Sequence, residues 1–320
     1  MRYGKVMSAS QHTVLIAGAT ASGKSALALR LAEAVGGVVV NADAMQVYRE
    51  LPILTARPTA QDQARAPHRL YGHVSASEPY SVGRWLADAK TAIAAAHDAG
   101  QMPILVGGTG LYFKVLLEGL SPIPDFPVDV RTHWRNEASR LGATALHAEL
   151  ARRDPEMAGR LAPTDLQRLT RALEVLEGTG RSLAHWQRQP GVPVLRESDT
   201  VRIVISFDRV GLVVRCDTRF DAMLSAGALA EVRALLELQL DPKAPAMGAL
   251  GVAALAAHLR GQIDLPAAVE RAKRDTRHYV KRQQTWLRRN MVSWNNVQTL
   301  DMERNDRSID ALIDLLRRNA

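Results

Sequence analysis

Cysteine is almost absent: Cys216 is the single one in 320 residues. That excludes an internal disulfide framework and any zinc site assembled from several thiolates, and a reducing cytoplasm is the expected location. No stretch approaches the roughly 18 uninterrupted apolar residues of a membrane span. The charged start, Met1 to Ser8, has no apolar core for a signal peptide. Membrane-spanning and secreted classes are therefore not expected. The nine histidines show no metal-ligand spacing such as H-E-x-x-H, so His68, His73 and His278 read as surface or packed residues. Cys216 has no histidine beside it to activate it and reads as a packed thiol. Internal repeats, heptad arrays and low-complexity tracts are missing too.

What is present is an ordinary globular composition, 47% apolar and 23% charged, too apolar for a disordered chain. At about 150 residues per domain, the length suggests two domains or one with a large insertion. The formal charge is +8, and its placement matters more than its size. Residues 271–289 carry eight Lys/Arg against one acid, Asp275, a net +7. So concentrated a basic segment on a near-neutral body points to a polyanionic partner, or else to a solvated helix face.

Short apolar runs at 13–17, 38–40, 103–106 and 201–205 read as buried parallel strands, with helical patterns at 25–35 and 82–99 between them. Strands alternating with helices imply an α/β fold, a P-loop NTPase-like parallel sheet flanked by helices. After Pro122, Pro124 and Pro127 the texture changes. Residues 128–188 hold helical patterns only, with ten Arg and no Lys. This reads as an all-helical insertion over 122–195. It interrupts a core formed by 1–121 and completed by 196–320, with the basic helix at 266–290.

The chemistry begins at Gly18-Ala19-Thr20-Ala21-Ser22-Gly23-Lys24-Ser25, a full G-x-x-x-x-G-K-[ST] motif between a strand and a helix. Its glycines let backbone N–H groups converge on phosphate oxygens at a helix N-terminus. Lys24 would reach the terminal phosphates and the Ser25 hydroxyl a Mg²⁺ ion. An ATPase adds a strand ending in a magnesium-binding Asp. Here the strand at 103–106 runs instead into Gly107-Gly108-Thr109-Gly110. The strand that does end in a carboxylate is the second, at Asp43. Because strand C-termini in such sheets share one edge, Asp43 is expected across the cleft from Lys24, placed to take a proton from an acceptor. In the basic segment, Tyr279, Gln283 and Trp286 form one helical stripe expected to pack inward, while Arg274, His278, Lys281 and Arg288 form another that could track phosphates.

With Asn41-Ala42-Asp43-Ala44-Met45-Gln46-Val47-Tyr48, Thr55-Ala56-Arg57-Pro58, Pro67-His68, Leu105 to Tyr112, Asp165 to Val175 and Lys281 to Arg288 added in order, nearly the whole chain resembles the tRNA dimethylallyltransferases. The resemblance implies that the P-loop, Gly18 to Ser25, holds dimethylallyl diphosphate with Mg²⁺. The prenyl group would then pass to the N6 amine of the adenosine immediately 3′ of the anticodon in a tRNA anticodon stem-loop. It also implies Asp43 as general base, and Lys24, Thr109 and Arg215 as groups steadying the diphosphate. For tRNA contact it implies Asp43, Ala44, Met45, Gln46, Thr109 and Arg131. It adds Gln167, Arg168, Leu169, Thr170 and Arg171, with Lys281, Arg282, Gln283 and Arg288. A monomer is expected. The sequence departs from the family pattern at Ala44, where Ser is usual, at Leu54, where Gly is common, and at Val252-Ala253. The rival readings are a P-loop small-molecule kinase and a prenyltransferase acting on free adenine nucleotides; a non-enzymatic RNA-binding protein would have no use for an intact P-loop.

Overall fold

The computed structural model describes residues 12–298, 310–314 and 316; Met1 to Ser8, read above for targeting, lie outside them. The strands are β1 (Thr13–Gly18), β2 (Val38–Asn41), β3 (His68–Arg69), β4 (Pro103–Gly107), β5 (Thr200–Ser206) and β6 (Asn295–Gln298). They form one sheet of order β3-β2-β4-β1-β5-β6 in which every pairing is parallel. The helices are α1 (Lys24–Val35), α2 (Ala60–Arg65), α3 (Val82–Asp98), α4 (Gly110–Glu118), α5 (Val128–Arg153), α6 (Pro155–Arg160), α7 (Leu166–Thr179), α8 (Leu183–Gln187), α9 (Arg209–Ser225), α10 (Ala228–Glu237), α11 (Val252–Leu259) and α12 (Leu265–Asn290).

The central strands are apolar because helices cover both faces: β1, β2 and β4 are buried at every position. Val14, Ile16, Ile104, Ile203 and Ile205 pack with Leu27 and Leu31 of α1 in one core. A second core joins Tyr48, Leu51 and Leu54 to Phe220, Val232, Leu255 and Ala272. β3 and β6 escaped the hydrophobic pattern for a physical reason. One has two residues and the other reads Asn-Asn-Val-Gln at the sheet edge, where only one side needs a partner strand.

The chain divides into two compact units, one of Met1–Leu117 with Leu195–Ala320 and the other of Glu118–Val194. The smaller unit is helical throughout and has its own core of Phe126, Trp134, Leu146, Leu150, Leu169, Leu173 and Val175. Among the described residues, no helix is long and apolar enough to cross a membrane.

Candidate active site

Parallel pairing of β1, β2 and β4 brings three loops to one sheet edge: the P-loop after β1, the turn after β2 and the Gly107-Gly108 turn after β4. There, a cavity of about 530 Å³ is lined by Thr20 to Ala26, Asp43, Gln46, Thr55, Ala56, Val214, Arg215, Thr218, Arg219 and Ala222. Lys24, Ser25, Asp43 and Arg215 thus meet, as expected, while Gly18 and Ala19 form the loop's root behind the lining.

The P-loop is built for anions. Gly23 caps α1 with φ 86° and no side-chain cap bond, so the first N–H groups of α1 keep their positive potential toward the cavity. The Lys24 ammonium donates to the Ala19 carbonyl at 3.3 Å. Burial draws its pKa down to about 8, opposed by Asp43 and reinforced by Arg219. Burial also lowers Arg219. This second guanidinium went unnoticed in the sequence, although it stands four residues from Arg215 and hence on the same face of α9.

Asp43 is held by its neighbours rather than by an ion pair. Asn41, fully buried, donates from Nδ2 to the carbonyls of Asp43 (2.9 Å) and Leu70 (3.0 Å), and its Oδ1 accepts from the Asp43 N–H at 2.8 Å. The Asn41 carbonyl in turn accepts from the Trp85 indole at 2.9 Å. Asp43 Oδ1 accepts from the Met45 N–H at 3.0 Å. Its Oδ2 accepts no hydrogen bond among the described residues, which leaves it able to take a proton. Burial first, and the negative charge of Asp43 second, push the phenols of Tyr71, Tyr112 and Tyr279 upward, Tyr279 to about 12. All three hydroxyls are therefore held neutral.

Four expectations change. Thr109 does not line the cavity; its hydroxyl oxygen accepts from the Ala44 N–H at 2.9 Å and so shapes the Asp43 turn. Gln283, which the resemblance put on tRNA and the helical spacing put on the inward stripe, is 6% exposed and bonded to backbone, as the spacing implies. In the smaller unit, Leu169 and Thr170 are 0% and 8% exposed, and the Thr170 hydroxyl donates to the Leu166 carbonyl. Only Gln167 and Arg168 are open on that stretch. Arg171 is partly buried, pairing with Glu174 at 3.2 Å. Arg131 lies over the Phe126 ring, 4.7 Å from its centre. Gln46 lines the cavity while its amide donates to the Thr55 and Ala56 carbonyls. Lys281, Arg282 and Arg288 are exposed.

Leu54 packs against Gly251, the residue before the Val252-Ala253 departure: a Cβ on Gly251 would sit 3.1 Å from Leu54 Cδ2. Ala44 leaves its backbone bond to Thr109 intact. Cys216 is buried, and burial raises its thiol, as fits a packed residue.

Among the described residues no group of three or more His, Cys, Asp or Glu side chains could hold a metal. Ser25, which is exposed, lines the cavity instead. A cation there would complete its shell from phosphate oxygens and water, the arrangement Mg²⁺ takes. The donor set fits Mg²⁺ that arrives with a diphosphate.

A family model described as IPP transferase matches residues 46–290, and one described as isopentenyl transferase matches residues 11–74. The tRNA dimethylallyltransferase of Nitrobacter hamburgensis is 57% identical over 286 residues, 89% of this chain and 90% of that protein. That of Rhodopseudomonas palustris is 56% identical over 285 residues, 89% of each. Among solved structures, the tRNA isopentenylpyrophosphate transferase of Bacillus halodurans aligns with TM-score 0.69 at 30% identity, covering 97% of this chain and 96% of that one. A eukaryotic dimethylallyltransferase described as acting on tRNA aligns with TM-score 0.78 at 27% identity, covering 95% and 78%.

Proposed function

The chain belongs to the IPP transferase family, and from that membership we propose that it transfers the dimethylallyl group of dimethylallyl diphosphate to the N6 amine of the adenosine next to the tRNA anticodon, releasing diphosphate. The observation that carries this reading is the meeting of the P-loop, Lys24 and two arginines with Asp43 in one cavity. Such a site holds a polyphosphate leaving group beside a base.

In the reaction the allylic C–O bond breaks and the N6–C bond forms. The electron pair leaves with the diphosphate, and the N6 proton passes to Asp43 Oδ2. The P-loop N–H groups, Lys24, Arg215 and Arg219 hold the charge that develops on the departing oxygens, a preorganised stabilisation in a partly desolvated site. When bound, Mg²⁺ supplies further neutralisation of that charge, and Ser25 is the side chain that would hold it. Proton removal by Asp43 compensates for the weak nucleophilicity of an aromatic amine, a contribution of about 10²–10⁴-fold. To reach the cavity the base has to leave its stack, which favours an anticodon loop over a duplex. The exposed cations of α12 suit the RNA backbone.

Incubation with unmodified tRNA, Mg²⁺ and the prenyl donor, followed by nucleoside mass analysis, is expected to show one adenosine heavier by C₅H₈. ATP as donor, or AMP as acceptor, is expected to give no product. Unmodified nucleosides, or phosphoryl transfer from ATP to a small molecule, would overturn the reading.

A further inference from the structure

α12 buries a stripe of Ala268, Ala272, Thr276, Val280, Gln283 and Leu287. An amide in such a stripe must find partners for both its donor and its acceptor, since a buried polar group without them is destabilising. Gln283 finds them in two loops far apart in the chain. Its Oε1 accepts from the Thr20 N–H at 2.9 Å, and its Nε2 donates to the Gly108 carbonyl at 3.0 Å. Thr20 belongs to the P-loop. Gly108 backs Asp43: a Cβ placed on it would lie 3.5 Å from Asp43 Oδ2 and 2.3 Å from Gln283 Nε2. One rigid amide therefore spans the diphosphate cradle and the loop behind the base.

The helix that carries this amide is itself anchored. Arg277 and Lys273 pair with Asp217 and Asp221 of α9 at 2.6 and 2.7 Å, and α9 bears Arg215 and Arg219. Trp286 lies so close to Gly110 that a Cβ there would fall 2.1 Å from its ring.

We propose that Gln283 is a positioning residue, whose amide fixes the separation between the diphosphate cradle and Asp43 that the transfer step requires. This rests on the prenyl-transfer reading above. Gln283 lies outside the cavity lining and acts through Thr20 and Gly108. Displacement at carbon is sensitive to such spacing, because a misplacement of about 1 Å can cost on the order of 10²-fold in rate. Binding alone is less sensitive, since each substrate meets its own rigid surface.

Gln283→Leu keeps the bulk of the side chain and removes both backbone bonds, together with the amide's hydrogen bond to the Tyr279 phenol. Its single-turnover transfer rate at saturating tRNA and donor is expected to fall at least ~30-fold. Pyrophosphate and tRNA affinities should stay within about threefold, because Lys24, the arginines and the exposed basic face are untouched. Rates are taken per pyrophosphate-binding molecule, so a merely structural residue, whose loss only lowers the folded fraction, leaves them unchanged. Gly108→Ala attacks the same bond from the other side. Its Cβ displaces the flexible end of Gln283 while resting at ordinary contact distance from Asp43, and it should reproduce the rate loss. The double variant should lose no more than either single one, as two lesions of one interaction do. If Gln283→Leu does not fold, Gly108→Ala decides alone. Wild-type rates in the variants, additive losses, or a defect confined to substrate affinity overturn the positioning role. A wild-type chain that leaves tRNA unmodified overturns the transfer reading, and this role with it.

Discussion

Asp43 owes its place to Asn41, whose buried amide ties the end of β2 to both Asp43 and Leu70. Because that frame does not depend on the carboxylate's charge, Asp43→Asn should fold normally and bind tRNA normally. It should still lose roughly 10²-fold or more in kcat, the amount a general base contributes; near wild-type kcat at saturating substrates would remove Asp43 from that role. Lys24 makes a second claim testable. With its pKa drawn down to about 8 by burial, the ammonium that attracts diphosphate is lost above that pH. Pyrophosphate affinity is therefore expected to weaken by up to about tenfold per pH unit above 8, and a Lys24→Arg variant should lack this dependence. Calorimetric titrations from pH 6 to 9.5 measure both. The stability effect runs the other way. The folded pKa lies below the usual 10.5, so the unfolded chain holds more protons between about 8 and 10.5, and this group makes unfolding harder as pH rises through that window.

At the scale of the element, α12 divides its labour by face. Its net charge of +7 over 271–289 was legible in sequence, but the division of the cations was not. Lys273 and Arg277 are spent on α9, and Arg282 lies 5.6 Å from the centre of the Tyr279 ring. Arg271, Arg274, Lys281 and Arg288 are exposed and have no acidic partner among the described residues. If these track RNA phosphates, removing one cation flattens the slope of log affinity against log salt by about 0.7–0.9. Lys281→Ala and Arg288→Ala should each show that change for cognate and non-cognate tRNA alike. Arg277→Ala should instead leave the slope unaltered and lower the melting temperature, because its partner is Asp217. Wild-type slopes in both exposed-site variants would leave the basic face a solubilising surface.

For the molecule as a whole, the sheet supplies a scaffold that a ligand can lock. A ligand that binds only the folded state at about 100 times its Kd adds about 2.7 kcal/mol to stability. Pyrophosphate with Mg²⁺ at that level is expected to slow hydrogen exchange of the β1 and β4 amides by about a hundredfold, since these fully buried strands exchange only when the unit of 1–117 and 195–320 opens. Exchange mass spectrometry with and without Mg²⁺ also measures how much of the protection needs the cation. Protection independent of pyrophosphate would mean that the P-loop does not hold it.

The local pattern of residues determined the phosphate cradle, the four apolar strands, the helical character of 128–188 and the basic charge near the C-terminus. Each is written in contiguous sequence, as a motif, a run of burial or a count of charge. Tertiary structure alone decided how these parts serve a site. It put Arg219 beside Lys24, turned Thr109 away from the cavity toward the Ala44 amide, and buried Leu169 and Thr170. It also added β3 and β6, whose residues are too few or too polar to announce a strand. The reason is common to all of them. A side chain's partner is set by which strands lie adjacent and which helix face turns inward, and Thr20 meets Gln283, 263 positions away, only because the chain between them folds to bring them together.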